Sequence, residues 1–255
     1  MERIVFPHET AETLLKTPCP SRRFLVVLAA TKHQTQMNDK PESYYSLRRS
    51  EIARLILGKP YYILEIRCGS GHFKENITWD CEYHGVEPFA KAAEKAAANG
   101  LVMHKGTYDQ VKDELPQGRF DLVIANDVIE HMQDPWAFLE SIKSKLSEHG
   151  TIIGSVPNVR YLTNLWNLLV RRDWQYTQSG VLDRTHLRLF TLRSFKSVLT
   201  NSGFDIDIIK PSGPDKYALL KKFLYPFAFP VGTDVLYMQI AFRAQKLSSP
   251  ENQHL

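Results

Sequence analysis

The chain reads as an α/β fold, a mostly parallel β-sheet with helices on both faces. Three features point there. Short apolar runs alternate with helix-like segments, and the turns between them are short. The apolar run Tyr61-Tyr62-Ile63-Leu64 ends in an acid and a glycine-rich turn, Glu65-Ile-Arg-Cys-Gly-Ser-Gly71. The second predicted strand, Glu82-Tyr-His-Gly-Val86, also ends in an acid, Glu87. Glycines at the end of a buried strand let backbone approach a nucleotide-like ligand closely.

The elements follow in order. Ile52, Leu55 and Ile56, with Tyr45 two turns earlier, mark one face of a helix that stops at Gly58-Lys59-Pro60. Strand one is 61–66, and a short helix follows Gly71. Strand two runs from Glu82 to Val86 and ends at Glu87-Pro88. Phe89 to Asn99 is alanine-rich and helical, with Gly100 at its C′ stop. Leu101 to His104 and Phe120 to Ala125 are strands three and four. Asp134 caps the next helix, with Pro135 at its first position. That helix has Phe138, Leu139, Ile142 and Leu146 on its core face and ends at Gly150. Thr151 to Val156 is strand five. Thr191 to Ser202 is a helix ended by Gly203, and Phe204 to Ile209 and Val235 to Phe242 are strands six and seven.

Residues 1–36 lack sustained periodicity and lead nowhere in this fold. Met37 then opens a polar lead-in. Two readings stand for 1–36: an extension upstream of a start at Met37, disordered or not native, or a genuine N-terminal arm. The domain proper is 37–246, with insertions at 159–190 and 211–234 and a tail at 247–255.

Composition narrows the classes. With 255 residues, 43% of them hydrophobic, the chain can bury one large core. A net charge of +4, from 32 basic and 28 acidic residues, does not argue for nucleic acid. Cys19, Cys68 and Cys81 make neither a disulfide framework nor a metal-ligand spacing, so no metal is expected. The reading is a reducing, cytoplasmic compartment. No apolar run approaches the roughly 18–20 residues of a membrane span. Phe24 to Ala30 after Arg22-Arg23 is at the short limit of a signal sequence, and acids precede it.

The chemistry concentrates in three places. Backbone N–H groups around Gly69, Ser70 and Gly71, with the next helix N-terminus, can hold a carboxylate or phosphate. The loop lacks the third glycine of a dinucleotide fingerprint, since His72-Phe73-Lys74 follows, and it has no Walker-type lysine. Glu87, alone a solvated acid, becomes a ribose ligand when paired with that loop. The third place is Phe120-Asp-Leu-Val-Ile-Ala-Asn-Asp-Val-Ile-Glu-His-Met-Gln-Asp-Pro-Trp136.

In this combination the chain resembles the class I S-adenosylmethionine-dependent methyltransferases, in particular the broad bacterial group of quinone and sugar methylating enzymes. The shared pattern is an acid–x–Gly–x–Gly–x–Gly loop, an acid after strand two, and a Glu-His turn after strand four. Arg184-Thr-His-Leu-Arg-Leu-Phe-Thr191 resembles a later part of the group. The resemblance covers roughly residues 38–246 and is specific for fold and cofactor, not for substrate. It implies a Rossmann-like seven-stranded sheet with an antiparallel last strand. It implies S-adenosylmethionine as cofactor and a small-molecule or glycan acceptor, methylated at oxygen. Glu65, Cys68, Gly69, Ser70 and Gly71 would hold the methionine end. Glu87 would take the ribose, and Thr107 and Tyr108 would meet adenine. Asn126, Asp127 and Val128 would line the site near the sulfonium.

Arg67 departs from the pattern, standing where the first glycine belongs. Three readings stay open. It swings out to an acid such as Asp127, it weakens cofactor binding in an impaired copy of the fold, or it contacts an acidic substrate. A nicotinamide-dependent oxidoreductase is the remaining alternative, and the missing third glycine argues against it.

An oxygen acceptor needs a base, and the candidates are His131 and His186. His131 also reads as a turn residue that hydrogen-bonds backbone. Asp183, Arg184 and Arg188 surround His186 and read either as an anion site or as a surface ion-pair cluster. Tyr161 to Val170, followed by Arg171-Arg172, and the aromatic stretch Lys221 to Pro230 have two readings. They are a core-packed insertion and a loop, or a lid or patch touching a lipid-linked acceptor at a membrane.

Overall fold

The computed structural model describes residues 48–212 and 232–247. The expectations for residues 1–36, Met37, Tyr45, the 221–230 stretch and residues 248–255 lie outside the described residues.

Seven strands form one sheet. They are β1 (Tyr62–Ile66), β2 (Glu82–Glu87), β3 (Val102–Lys105), β4 (Phe120–Asn126), β5 (Leu146–Pro157), β6 (Phe204–Ser212) and β7 (Gln239–Lys246). The order is β3-β2-β1-β4-β5-β7-β6. The first five strands run parallel, and β7 pairs antiparallel with both β5 and β6. The helices are α1 (Ser50–Ala53), α2 (Ala90–Ala98), α3 (Tyr108–Val111), α4 (Pro135–Lys145), α5 (Leu162–Leu169) and α6 (Leu192–Asn201). Short 3-10 turns occupy His72–Asn76, Ile129–His131 and Thr233–Leu236.

Alternate residues of a strand point to opposite faces, and both faces here are buried. On one face Leu64, Ile66, Val123 and Ala125 pack with Phe138, Leu139 and Ile142 of α4 and with Phe195 and Leu199 of α6. On the other, Ile63, Leu122, Ile124 and Ile153 pack with Ile52 of α1, Leu55, Phe73 and Ala96 of α2. This double burial explains why β1 and β4 are nearly continuous apolar runs. The helix ends follow their sequence signals. Asp134 accepts the Ala137 N–H at 3.0 Å, and Thr191 accepts the Ser194 N–H at 3.1 Å. Gly100 and Gly203 take left-handed backbone at φ 79° and 78°.

The structure differs from the sequence reading in five places. The first helix ends at Ala53 rather than at Gly58-Lys59-Pro60, so Leu55 and Ile56 lie beyond it. The α4 helix ends at Lys145 rather than Gly150, and the chain is extended from Leu146 onward. Gly150 serves the strand instead. A Cβ there would stand 2.8 Å from the Phe120 carbonyl. The last strand starts at Gln239, because Val235 and Leu236 belong to a buried 3-10 turn. The short α3 was not anticipated. Finally, α5 packs inward through Leu165, against Val235 and Leu236, and turns its other large apolar residues outward. Leu162, Trp166, Leu169 and Val170, at helical spacing, are exposed, while Asn164 faces inward and donates to the Val159 carbonyl.

Candidate active site

The turn after β1 lies over the end of β2. The Cys68 N–H donates to the Val86 carbonyl at 3.2 Å, and the Gly71 N–H donates to the Cys68 carbonyl at 2.9 Å. The Gly69 N–H donates to Glu87 Oε2 at 2.9 Å. Asn99 donates to the Ser70 carbonyl at 2.9 Å. The amides of Gly69 and Gly71, expected to capture a ligand anion, are therefore used within the protein, on Glu87 of β2 and on the Cys68 carbonyl of the loop. Gly85 in β2 makes this close seating possible, since a Cβ there would come 2.6 Å from Cys68 Sγ. Burial pushes the Cys68 thiol well above its ordinary pKa, so it packs as an apolar group.

Arg67 occupies left-handed backbone at φ 58°, with Gly69 at 55° and Gly71 at 80°. An arginine thus adopts a conformation that glycine takes without cost. Arg67 is partly buried, and burial raises the pKa of two nearby acids, Glu87 and Glu130, a rise that its positive charge opposes in part.

Glu65 is buried, and Tyr83 Oη donates to its Oε2 at 2.9 Å. Burial pushes its carboxyl up to about 8 despite that bond. Glu87 sits at the tip of β2, with its other oxygen accepting the Phe89 N–H at 2.9 Å. Burial raises its pKa too, while the Phe89 and Gly69 amides and Arg67 pull it back.

At the tip of β4, Asp127 takes left-handed backbone at φ 51°. It is ion-paired with Arg49 and accepts from Ser155 Oγ at 2.9 Å and Gln239 Nε2 at 3.0 Å. Arg49 escaped the sequence reading. Its only signal was an Arg48-Arg49 pair ahead of a helix, far along the chain from its partner. Val128 lies in the core. Asn126 ends the strand, with a buried Oδ1 that accepts no hydrogen bond.

Behind this tip the fold brings His131 and His186 together, with ring centroids 4.9 Å apart. Each is held by backbone. His131 Nδ1 donates to the Thr185 carbonyl at 2.8 Å, and His186 Nδ1 donates to the Val181 carbonyl at 2.9 Å. The Leu187 and Arg188 amides bond the Glu130 carbonyl, and Asp183 braces the turn by accepting from Thr185 N and Oγ1. Glu130 itself is fully buried, and burial raises its carboxyl well above the usual range. Arg188 donates to the Gln133 carbonyl, so its guanidinium braces this turn. Thr107 leads into α3. The Tyr108 side chain is buried against Phe138 with its hydroxyl on Ser141, so its ring faces the core and not the strand tips.

These residues fit S-adenosylmethionine. Each Glu87 oxygen engages one backbone N–H and keeps a lone pair for a ribose hydroxyl. Asn126 Oδ1 is a buried acceptor at the neighbouring tip. A separate cavity of about 370 Å³ opens at the opposite end of the strands, lined by residues including Tyr61, Asp121, His149 and Arg243. It shares no residue with the tips.

Comparison with known proteins agrees with this geometry. The family described as "Methyltransferase domain" matches residues 36–208. Over 100 residues, 38% of this chain, the sequence is 32% identical to a ubiquinone biosynthesis O-methyltransferase of Bradyrhizobium sp. (strain ORS 278). The matched stretch spans 40% of that relative's length. Among solved structures, an S-adenosylmethionine-dependent methyltransferase from Mesorhizobium loti aligns with a TM-score of 0.55 at 17% identity, covering 78% of this chain and 98% of that one. One from Thermotoga maritima aligns with a TM-score of 0.56 at 16% identity, covering 80% and 90%. At such identities the structural likeness speaks to fold alone. The family match, running from before β1 to within β6, carries the assignment: the chain belongs to the methyltransferase domain family.

Proposed function

We propose that the chain methylates an oxygen of a small-molecule acceptor, of the hydroxylated quinone-precursor or glycan type. The observation that carries this reading is Glu87, fixed by Gly69 and Phe89 at the tip of β2 with lone pairs left for two ribose hydroxyls. S-adenosylmethionine, when bound, supplies an electrophilic methyl group. Glu65 and the 67–71 loop would hold its methionine end, and Asn126 would take a donor from it. The protein's task is then mostly positioning, which can supply much of the acceleration of an in-line displacement.

The oxygen preference rests on His131 and His186. With Nδ1 donating to a carbonyl, each neutral imidazole presents Nε2 as an acceptor. His186 is the candidate to take the acceptor's hydroxyl proton, on the segment whose Leu187 and Arg188 amides bond the Glu130 carbonyl just after β4. The 32% identity to an O-methyltransferase over 100 residues supports the same direction. The outward apolar face of α5, from Leu162 to Val170, would meet an apolar part of the acceptor.

The test is S-adenosylhomocysteine release with a panel of phenolic and sugar hydroxyl acceptors. His186→Ala should lower kcat about 10²-fold with little change in cofactor affinity. Glu87→Ala should instead abolish cofactor binding by calorimetry. A chain that binds no S-adenosylmethionine at all would defeat the proposal.

A further inference from the structure

We propose that Glu130, His131 and His186 form a binding site for a divalent transition-metal ion of the zinc type. One ligand atom from each, a Glu130 carboxylate oxygen and an imidazole nitrogen from each histidine, lies within 4.8 Å of the others. His186 Nε2 stands 3.9 Å from Glu130 Oε1, too far for a hydrogen bond between them.

Glu130 carries the argument. It is 0% exposed, and neither carboxylate oxygen accepts a hydrogen bond. A buried carboxylate in that condition must be neutralised, by a proton or by a bound cation, and the two imidazoles beside it supply the remaining ligands for a cation. The two histidines are prepared as ligands should be. A metal-bound imidazole characteristically donates its other N–H to a carbonyl or carboxylate, which fixes ring and tautomer. Both do so here, to Thr185 and Val181. Two imidazoles and one carboxylate are a set that zinc and its neighbours accept, with further positions left open. Ligand bonds of about 2.1 Å would place the three atoms roughly 3.0–3.4 Å apart, so a pair at the 4.8 Å limit closes by roughly 1.4–1.8 Å on binding.

The sequence hides this set, because Glu130-His131 and His186 lie on separate loops. The surroundings tune it. Arg67 and Arg49 act on Glu130 as cations and oppose a metal, while Asp127 favours one. An ion on His186 Nε2 would occupy the lone pair that the proposed base uses, so metal binding and proton removal at that nitrogen exclude one another; metal affinity is read without methyl transfer.

The experiment titrates Zn²⁺ alone into the chelator-stripped full chain by calorimetry, with Co²⁺ absorption as a second reading. One ion per chain should bind. Glu130→Gln and His186→Ala should each weaken binding about tenfold or more. Arg67→Gly, which removes an opposing cation and leaves the ligands in place, should tighten it. Absence of saturable binding, or affinity untouched by Glu130→Gln and His186→Ala, overturns the proposal. If those variants fail to fold by circular dichroism, X-ray absorption at the zinc edge of the unmodified chain decides. Two imidazoles plus oxygen support the site, and fewer than two imidazoles overturn it.

Discussion

Arg49 and Asp127 both hold left-handed backbone, at φ 49° and 51°, and their side chains are joined by an ion pair. Ser155 of β5 and Gln239 of β7 bond to both partners, so four separate segments meet there. Removing one partner leaves a charge in a mostly buried net. Asp127 keeps some solvent access, with 24% of its side chain exposed, so the cost falls below that of a fully buried pair. Arg49→Met should destabilise the fold by about 2 kcal/mol. Urea unfolding at neutral pH measures this, and an unchanged midpoint would show the pair to be dispensable.

Arg67→Gly should act in the opposite direction. It relieves a left-handed residue worth roughly 1–2 kcal/mol, offset in part by the greater freedom of glycine in the unfolded chain. The net expectation is a gain of about 0.5–1 kcal/mol. Removing a cation from the cofactor loop should also tighten S-adenosylmethionine binding. Calorimetry on the two proteins side by side measures this, and weaker binding by the glycine variant would mean that Arg67 contributes a contact.

Glu65 makes stability pH-dependent. Its carboxyl is raised from 4.5 to about 8, so the folded state binds a proton that the unfolded state has released between those values. Stability from this group is complete below about 4.5 and is lost as pH rises toward 8. Glu65→Gln, which cannot ionise, should flatten the fall. Denaturant melts at pH 5, 7 and 9 compare the two slopes. Parallel curves would refute the assignment.

Two glycine substitutions should separate by what the added methyl meets. At Gly154 a Cβ would stand 2.0 Å from the Ala125 carbonyl oxygen, which is backbone that cannot yield. At Gly85 it would meet the Cys68 and Met103 side chains, at 2.6 and 2.9 Å. Gly85→Ala should cost about 1–3 kcal/mol, and Gly154→Ala should prevent folding. Cys68→Ala added to Gly85→Ala should recover part of the loss, a coupling that a double-mutant cycle reads directly. Additive effects would mean that the loop and β2 are not coupled through this contact.

The sheet was legible where burial is simple. β1 and β4 are covered on both faces, so they appear as apolar runs, and Asp134-Pro135 announces α4 by cap chemistry alone. Glu65 was legible because it follows an apolar run, and Glu87 because it ends the next predicted strand at a Glu-Pro stop. Contacts that join distant segments were not. Arg49 meets Asp127 across 78 positions, and no local periodicity encodes that. Gly150 has two physical uses, helix stop and close strand approach, and only the neighbouring Phe120 carbonyl decides between them. Tyr108 follows a strand end, yet its ring turns inward because α3 rotates it onto Phe138. The apolar pattern of α5 gave its helical character but not its orientation, which Asn164 reverses.

The placement of β7 between β5 and β6 sets an order of assembly. As a ribosome delivers the chain, β6 emerges first and has no strand beside it, since its one neighbour in the sheet is β7. The exposed edge of β5 and the waiting β6 both depend on a segment synthesised last among the described strands. Until then the nascent protein carries two unpaired edges, the condition in which chains stick to one another. A stop codon before Gln239 would therefore cost the sheet two strands rather than one.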